Sequence, residues 1–336
     1  MKLNTAVDAG SCYIKIIEGC EKKGKLFIRR IGSFANPFTC IRENLVEREQ
    51  DVFVKSLKSF LKKNSIGSSA CISSVSGMGT IIHYFDIPNL PQDEIRPTVN
   101  LELMQVTQGG TKNLDYDYLL LPSKNKRNTV LFIGYPKDKC EFYTNSLQRA
   151  GLKPLVMDHD SFAILNAFRF IHRDYKKETL FILNIGSRKS NFALQETGGF
   201  ILIRDIPFGG TNITEIIADR KKISFDVAEI YKNKKENQEE VRKIISEDME
   251  DFLNEVSTGI EYFKVKTEKF PDTLFLTGGA SLIPGITDSF SQFLKIDVKV
   301  WNPVEELPQK TVLPEDIRKN GVNFSVAIGL ILKKIQ

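Results

Sequence analysis

The 336-residue sequence predicts an α/β protein built from two related lobes. Three observations carry that prediction. The length favours two domains over one, and a 41% hydrophobic composition is enough to bury a core in each. Short apolar β segments alternate with stretches of helical spacing along most of the chain. A glycine turn also occurs twice, as DAGSCYIKIIEG from Asp8 and as NIGSRKSNFALQ from Asn184, an offset of 176 residues. Each copy is followed by a basic-apolar stretch, Arg29-Arg30-Ile31 and Arg204-Asp205-Ile206, at an offset of 175 residues.

In chain order, Thr5 to Val7 and Tyr13 to Ile17 read as strands flanking the first turn, and Leu26 to Ile28 as a third strand after the polar reversal at Glu21 to Lys25. Val52, Phe53, Leu57, Phe60 and Leu61 mark a helix over Gln50 to Lys62. Strands follow at Ala70 to Val75 and Ile81 to Phe85, then a turn at Pro88 to Pro91 and a helix from about Asp93 to Gln105. Tyr116 to Leu121 and Thr129 to Tyr135 are strands, and the next helix ends near Gly151, a C-cap glycine. Ser161 to Ile171 is helical. The second α/β block opens with strands at Leu180 to Leu183, Asn191 to Leu194 and Phe200 to Ile203, and Gly209-Gly210 precede a short helix. After the charged section Arg220 to Glu240, one long amphipathic helix is expected from roughly Val241 to Lys266. A strand at Thr273 to Leu276, a helix through Phe290 to Leu294, a strand at Val298 to Val300 and a helix from Phe324 to Lys334 complete the chain. The apolar positions Phe324 to Leu332 are expected to pack into the second lobe.

Charge and cysteine usage exclude several function classes. The 47 basic and 42 acidic residues leave a net charge of +5 spread over the chain, which does not point to nucleic acid as the main partner. Lys22, Lys23, Lys25, Arg29 and Arg30 form the densest N-terminal basic cluster, read as a solvated hairpin edge or as a contact for an acidic partner or anionic lipid. Cys12, Cys20, Cys40, Cys71 and Cys140 are odd in number and never form a C-x-x-C pair, against both a disulfide framework and a thiolate zinc site. No run approaches the roughly 18 to 20 apolar residues of a membrane helix. A reducing, cytoplasmic location is expected.

Phosphate chemistry is the reading that the turns favour. Gly10 between two strands lets backbone N–H groups converge on an anion, and Ser11 adds a hydroxyl donor. Asp8 is placed either to hold magnesium through water or to form an ordinary Asx-turn, and Lys15 reaches phosphate only if its strand face points into the cleft. Gly186 and Ser187 repeat the cradle, so two turns facing one another would clamp a polyphosphate. Asn184 brings no negative charge to a metal. Gly209 and Gly210 either open a helix N-terminus towards an anion or simply make its tight start. Gly278-Gly279-Ala280, after the strand ending at Leu276, lets adenine or ribose lie against backbone, or is a bare strand-to-helix junction. Glu229 and Lys232 share a helical face as a surface ion pair or as a ribose or adenine contact. His83, His159 and His172 lack metal-ligand spacing. There is neither a Walker lysine motif nor a GxGxxG fingerprint.

Taken together, these segments resemble the type IV pilus assembly PilM family within the actin-like ATPase superfamily, to which FtsA also belongs. The resemblance runs through Val7 to Lys15, Glu102 with Asp115-Tyr116-Asp117-Tyr118, Ala150 to Pro154 and Asp158 to Ala163. It continues through Asn184 to Ser187, Arg204 to Gly210, Ala228 to Lys232, Leu276 to Gly285, Trp301-Asn302-Pro303 and Val326 to Leu330. It implies an actin-like two-lobed nucleotide-binding fold with an inserted subdomain in the first lobe. The first lobe would comprise residues 1–77 and 154–178, the insertion 78–153, and the second lobe 179–336 with a helical subdomain at about 213–269. It also implies ATP and magnesium as ligands, with Asp8 at the metal and Gly10, Ser11, Cys12, Lys15, Gly186, Ser187, Gly209, Gly210, Glu229, Lys232, Gly278, Gly279 and Ala280 around the nucleotide.

The implied partner is the cytoplasmic tail of a PilN-like inner-membrane protein, held between the first lobe and its insertion, with pilus motor components and self-association as further contacts. The protein would associate peripherally with the inner membrane through such partners. The family usually has an aspartate where this chain has Asn184, and a tryptophan where Thr98 to Glu102 carries Leu101. The first would weaken the magnesium-water arrangement, with an expectation of ATP binding and slow or absent hydrolysis, and the second bears on the partner groove. The competing readings are a nucleotide-independent scaffold, an FtsA-like division adaptor and a small-molecule kinase.

Overall fold

The computed structural model describes residues 3–37, 47–67, 69–107, 111–122, 127–307 and 313–333. Cys40 lies outside the described residues; Cys12, Cys20, Cys71 and Cys140 are free thiols.

The first sheet has the order β3-β2-β1-β4-β8. Strands β1 (Asn4–Ala9), β2 (Tyr13–Lys22) and β3 (Lys25–Ala35) form an antiparallel meander, and β4 (Ala70–Ser74) and β8 (Lys153–Asp158) extend it in parallel. The meander forms because Ala6, Val7, Ile14, Ile16 and Ile17 are all buried, while the parallel strand β4 is buried on both faces. Helix α1 (Glu47–Lys63) fits the expected spacing and places Phe53, Leu57 and Leu61 in a core with Val7, Ile14 and Ile16.

Between β4 and β8 the chain builds a separate three-stranded sheet. Its strands are β5 (Ile81–Pro88), β6 (Leu114–Leu121) and β7 (Arg127–Pro136), ordered β5-β7-β6 and antiparallel throughout. Helix α2 (Gln92–Val106) covers this sheet by burying Ile95, Val99 and Leu103 against Ile87, Val130 and Phe132. Helix α3 (Lys137–Arg149) returns the chain to the first lobe, packing on α1 and β8, and α4 (Asp160–Ile171) follows. Strand β8 escaped the sequence reading because proline opens its apolar stretch and no alternation marks it.

The second sheet repeats the first. Strands β9 (Thr179–Ile185), β10 (Ser190–Glu196) and β11 (Ile201–Ile206) form the meander, with β12 (Thr273–Thr277) and β13 (Asp297–Val300) in parallel beyond β9. The order is β11-β10-β9-β12-β13, the same topology as in the first lobe. Register confirms the repeat at the turns: Asp8 sits opposite Lys15, and Asn184 opposite Asn191. The offset fails further on. Asp205 faces Asn191 as Ser33 faces Lys15, so the partner of Asp205 in the repeat is Ser33 and not Arg30. A register shift between Glu18 and Gly19 and a longer first hairpin account for the slip.

Helices α5 (Gly210–Lys221) and α6 (Phe225–Asn233) follow the second meander, so part of the charged section is helical. The single long helix expected beyond them is two: α7 (Gln238–Asp248) and α8 (Glu250–Thr267), interrupted at Met249. The apolar stripe runs unbroken through Ile244, Ile245, Met249 and Phe252, all buried, which is why periodicity conceals the break. Helices α9 (Ile286–Leu294), α10 (Glu315–Lys319) and α11 (Ser325–Ile331) complete the chain.

The position of α11 corrects the sequence reading. It packs on α4, β1 and β2 of the first lobe, which closes the chain across both halves. The approach is backbone to backbone: a Cβ at Gly329 would overlap the carbonyl of Ala163 in α4. Gly329→Ala is therefore expected to destabilise the protein by about 1–3 kcal/mol through overpacking, read from the denaturant midpoint, with a larger loss for Gly329→Val. Unchanged midpoints would mean that α11 is not held against α4.

Candidate functional site

Both glycine turns lie at the C-terminal end of the first strand of their sheets. In the first, the antiparallel register puts Asp8 and Lys15 on one face, and their charged groups are 3.1 Å apart. Lys15 thus turns inwards, the alternative that strand alternation left open. A Cβ at Gly10 would stand 2.6 Å from Lys15 Nζ and 2.8 Å from the Tyr13 carbonyl, so this hairpin tolerates only glycine in its present shape. Asn36 secures it, its side chain donating to the Gly10 carbonyl at 2.9 Å and its backbone N–H to the Cys12 carbonyl at 2.8 Å. Burial pushes the Asp8 carboxyl above its usual range, more than Lys15 pulls it down.

The second turn is assembled from four separate segments. Asn184 donates to Asn191 at 3.0 Å, an amide pair where the first hairpin has an ion pair. The N–H groups of Gly210 and Thr211, at the start of α5, donate to the carbonyls of Gly186 and Ser187 at 2.9 and 2.7 Å. Those two helix-start amides are therefore engaged by the hairpin. Ser187 Oγ lies 3.0 Å from Thr211 Oγ1. Lys232 is buried, reaching the Gly210 carbonyl at 3.2 Å, Thr214 Oγ1 at 2.7 Å and Glu229 Oε2 at 2.6 Å. This corrects the surface-pair reading, since the lysine pins α6 to the start of α5. Burial alone would raise the Glu229 carboxyl, and the bonds from Lys232 and Thr214 bring it below its ordinary value.

The third glycine segment closes on the same place. Gly278 has φ +83°, and a Cβ there would meet Asn184 Oδ1 and stand 2.5 Å from the Ile185 carbonyl. Its N–H donates to the Val322 carbonyl at 2.9 Å, and Ala280 faces Gly210. Gly186, Ser187, Gly209, Gly210, Glu229, Lys232, Gly278, Gly279 and Ala280 thus form one contiguous wall, and Asp8, Gly10, Ser11, Cys12 and Lys15 form the other hairpin.

Residues to which the sequence reading gave no role in the site join the two walls. Lys189, in the second hairpin, reaches Asp160 at the start of α4, with 2.9 Å between Nζ and Oδ2. Ser76 also donates to Asp160 Oδ2. Asp205 on β11 accepts from the Gly77 N–H at 2.5 Å and from Asn191 Nδ2 at 2.8 Å, and His159 Nε2 lies 3.4 Å away. His159 Nδ1 accepts the Ser161 N–H at 3.1 Å, which leaves Nε2 as the protonated nitrogen facing Asp205. Burial opposes the charge on both acids. Lys189 and the Ser74 and Ser76 hydroxyls outweigh it at Asp160, and His159, Lys189 and Gly77 outweigh it at Asp205, so both carboxyls lie below their usual range. Lys189 is held above its ordinary value, because Asp160, Asp205 and Asp8 together exceed the effect of burial.

Glycine is required on both hairpins, because a Cβ at Gly10 or Gly186 would collide with the turn itself. A protein-held divalent ion does not fit. Asp8 is engaged by Lys15, Asn184 is neutral and bonded to Asn191, and the remaining carboxylates are engaged by Lys189, Gly77 and Asn191. Among the described residues no group of three His, Cys, Asp or Glu residues is placed to hold a metal.

A family model described as type IV pilus assembly protein PilM matches residues 6–335. Among solved structures, the chain is similar to that of a "PilM-PilN type IV pilus biogenesis complex", with TM-score 0.83 and 19% identity, covering 98% of this chain and 97% of that one. It is also similar to the ethanolamine utilization protein EutJ from Carboxydothermus hydrogenoformans, with TM-score 0.58, 15% identity and coverages of 99% and 90%. A diol dehydratase-reactivating factor in nucleotide-free form gives TM-score 0.57 at 9% identity, with coverages of 98% and 99%. At such identities the likeness concerns the fold, which is the actin-like two-lobed α/β fold.

The depressed carboxyls fix a pH dependence. A carboxyl with a lowered folded pKa contributes stability that is present above its unfolded value, near 3.9, and is lost as pH falls towards the folded value. Asp160 and Asp205 both act in this sense, whereas the raised Asp8 acts in the opposite one. Asp160→Asn, which leaves the partly buried Lys189 without its closest partner, should lower stability at neutral pH by about 1–3 kcal/mol and flatten the acid limb below about pH 4. Urea unfolding between about pH 7 and pH 3 checks both; an unaltered acid limb would remove Asp160 from the account.

Proposed function

Because the chain belongs to the type IV pilus assembly protein PilM family, we propose that it is an ATP-binding assembly component of a type IV pilus or related secretion machine. In this reading ATP lies between the two glycine hairpins, with its phosphates towards Gly10 to Lys15 and Gly186 to Ser187 and its nucleoside towards Gly278 to Ala280. The observation that carries it is the convergence of both hairpins on one largely buried ionic network through Lys189. Magnesium arrives on the phosphate oxygens of the nucleotide, not in a protein cage.

Hydrolysis is proposed to be slow or absent. A general base must offer an available carboxylate within hydrogen-bond reach of the attacking water. Asp8 is engaged by Lys15, Asp158 by Lys333, Asp160 by Lys189 and Asp205 by Gly77 and Asn191. Asn184 offers an amide in place of a carboxylate.

The proposed partner is the cytoplasmic tail of a PilN-like inner-membrane protein, through which the chain associates with the membrane. No helix among the described residues is long and apolar enough to cross a membrane. The resemblance implies a seat between the first lobe and the insertion. A cavity of about 410 Å³ lies instead between the insertion and the second lobe, lined by Ile82, His83 and Tyr84 of β5 and by Leu202, Ile203 and Arg204 of β11. Both are edge strands, and the Tyr84 hydroxyl accepts the Ile203 N–H at 2.8 Å. Edge strands of two sheets beside a cavity suit an extended peptide that adds as a strand, so we place the tail here.

Calorimetric titration of full-length protein with ATP should give one site, with phosphate release near background. Gly278→Val, which collides with Asn184 and Ile185, should abolish binding. Absence of ATP binding by the wild type would overturn the nucleotide reading, and rapid turnover would overturn slow hydrolysis. For the partner, Ile82→Glu should weaken a fluorescent PilN-like tail peptide by at least about tenfold while leaving ATP affinity unchanged. Unchanged peptide affinity would move the seat away from this cavity.

A further inference from the structure

We propose that Lys189 takes the place of a protein-held divalent cation, so that ATP binding by this chain does not depend on a metal. The inference rests on the nucleotide reading above and concerns which charge the cleft supplies to the phosphates. Two features stand close together in the second hairpin. At Asn184 the chain has an amide, so one negative charge that would attract a metal is missing. Five residues on, Lys189 brings a positive charge into the interior, where its ammonium meets Asp160 at 2.9 Å and interacts with Asp205 and Asp8.

The surroundings are shaped for that side chain. A Cβ at Gly77 would stand 2.8 Å from Lys189 Cδ, so the stem of the lysine runs across a glycine whose own N–H holds Asp205. Gly77 has φ +91°, a conformation that favours glycine in its own right. Ser76 occupies another lone pair of Asp160. The cluster contains three carboxylates, Asp8, Asp160 and Asp205, and two ammonium groups, Lys15 and Lys189. A cation fixed in this way is present before nucleotide arrives and requires no dehydration of a metal. Lys189 therefore acts as a positioning residue for the phosphates.

The test uses full-length protein, with ATP and Mn²⁺ as probes. ATP affinity of the wild type in EDTA should lie within about threefold of its affinity in excess Mg²⁺, and a loss of about tenfold or more in EDTA would overturn the inference. Lys189→Met should lose at least about tenfold in EDTA and regain affinity with Mg²⁺, whereas wild-type affinity in EDTA would again overturn it. A nucleotide-free arm separates this inference from the nucleotide reading. Mn²⁺ alone should leave the wild-type melting midpoint unmoved and raise that of Lys189→Met, because removing the ammonium leaves three carboxylates facing one lysine. If Mn²⁺ raises both midpoints equally, or neither, Lys189 does not stand in for a cation. Should the wild type bind no ATP in either buffer, the nucleotide reading falls and the Mn²⁺ arm still decides the role of the lysine. Should Lys189→Met not fold, the comparison of wild type in EDTA and Mg²⁺ decides alone, with Lys189→Arg expected to keep metal independence.

Discussion

The structure depends most on an ion pair held between its halves, a buried carboxylate at Asp160 and a partly buried ammonium at Lys189. Taking an ammonium and a carboxylate out of water is unfavourable by several kcal/mol for each ion unless the remaining lone pairs and protons find partners. At Lys189 and Asp160 they do, because Ser76 donates to the same carboxylate and neighbouring Asp205 is held by Gly77 and Asn191. The donors Ser76 and Gly77 come from the turn after β4 and the donors Lys189 and Asn191 from the second hairpin, and the acceptors come from the start of α4 and from β11, so the network is satisfied only when both lobes are in place. The same requirement explains a backbone feature far from either turn motif, the left-handed Gly77 over which the lysine stem passes.

The two lobes repeat one topology and diverge in chemistry at equivalent positions. The register that sets Asp8 against Lys15 sets Asn184 against Asn191. The first hairpin satisfies its acid locally, within one strand pair. The second has neutral amides at those positions and extends its cation out of the hairpin towards the other lobe. Repeated backbone geometry thus supports two electrostatic roles, one self-contained and one that links the halves.

Much of this was legible from residue order. The meanders, the glycine turns and the separate glycine segment at Gly278 follow from apolar alternation and punctuation, since those signals are local, whereas the insertion was implied only by the family resemblance. The inward turn of Lys15 and the burial of Lys232 are not local. Each depends on which face of a strand or helix a distant segment covers, and sequence spacing gives both faces equal standing. Lys189 was passed over for the same reason, as a lysine beside an arginine in a polar turn reads as solvated until Asp160, 29 positions earlier in sequence, is known to stand opposite it. The break at Met249 was hidden because its buried side chain continues the apolar stripe across the gap. The placement of α11 in the first lobe was hidden because an all-buried helix does not declare its neighbour.

The closed network also bears on what kind of component this chain is proposed to be. A cleft that turns over nucleotide rapidly has to free a carboxylate for water and reopen with each cycle. Here the carboxylates at the hairpins are engaged, and the ion pair joining the lobes sets a partly buried lysine on a buried carboxylate. Opening would expose or strand Lys189 and Asp160 together, a penalty that a single hydrogen bond to substrate does not offset. Such an arrangement favours a protein that holds one conformation for long enough to be built into an assembly. Nucleotide, in this view, sets the spacing of the lobes, and the edge strands β5 and β11, which border the same closed cleft through Asp205, present that spacing to a partner.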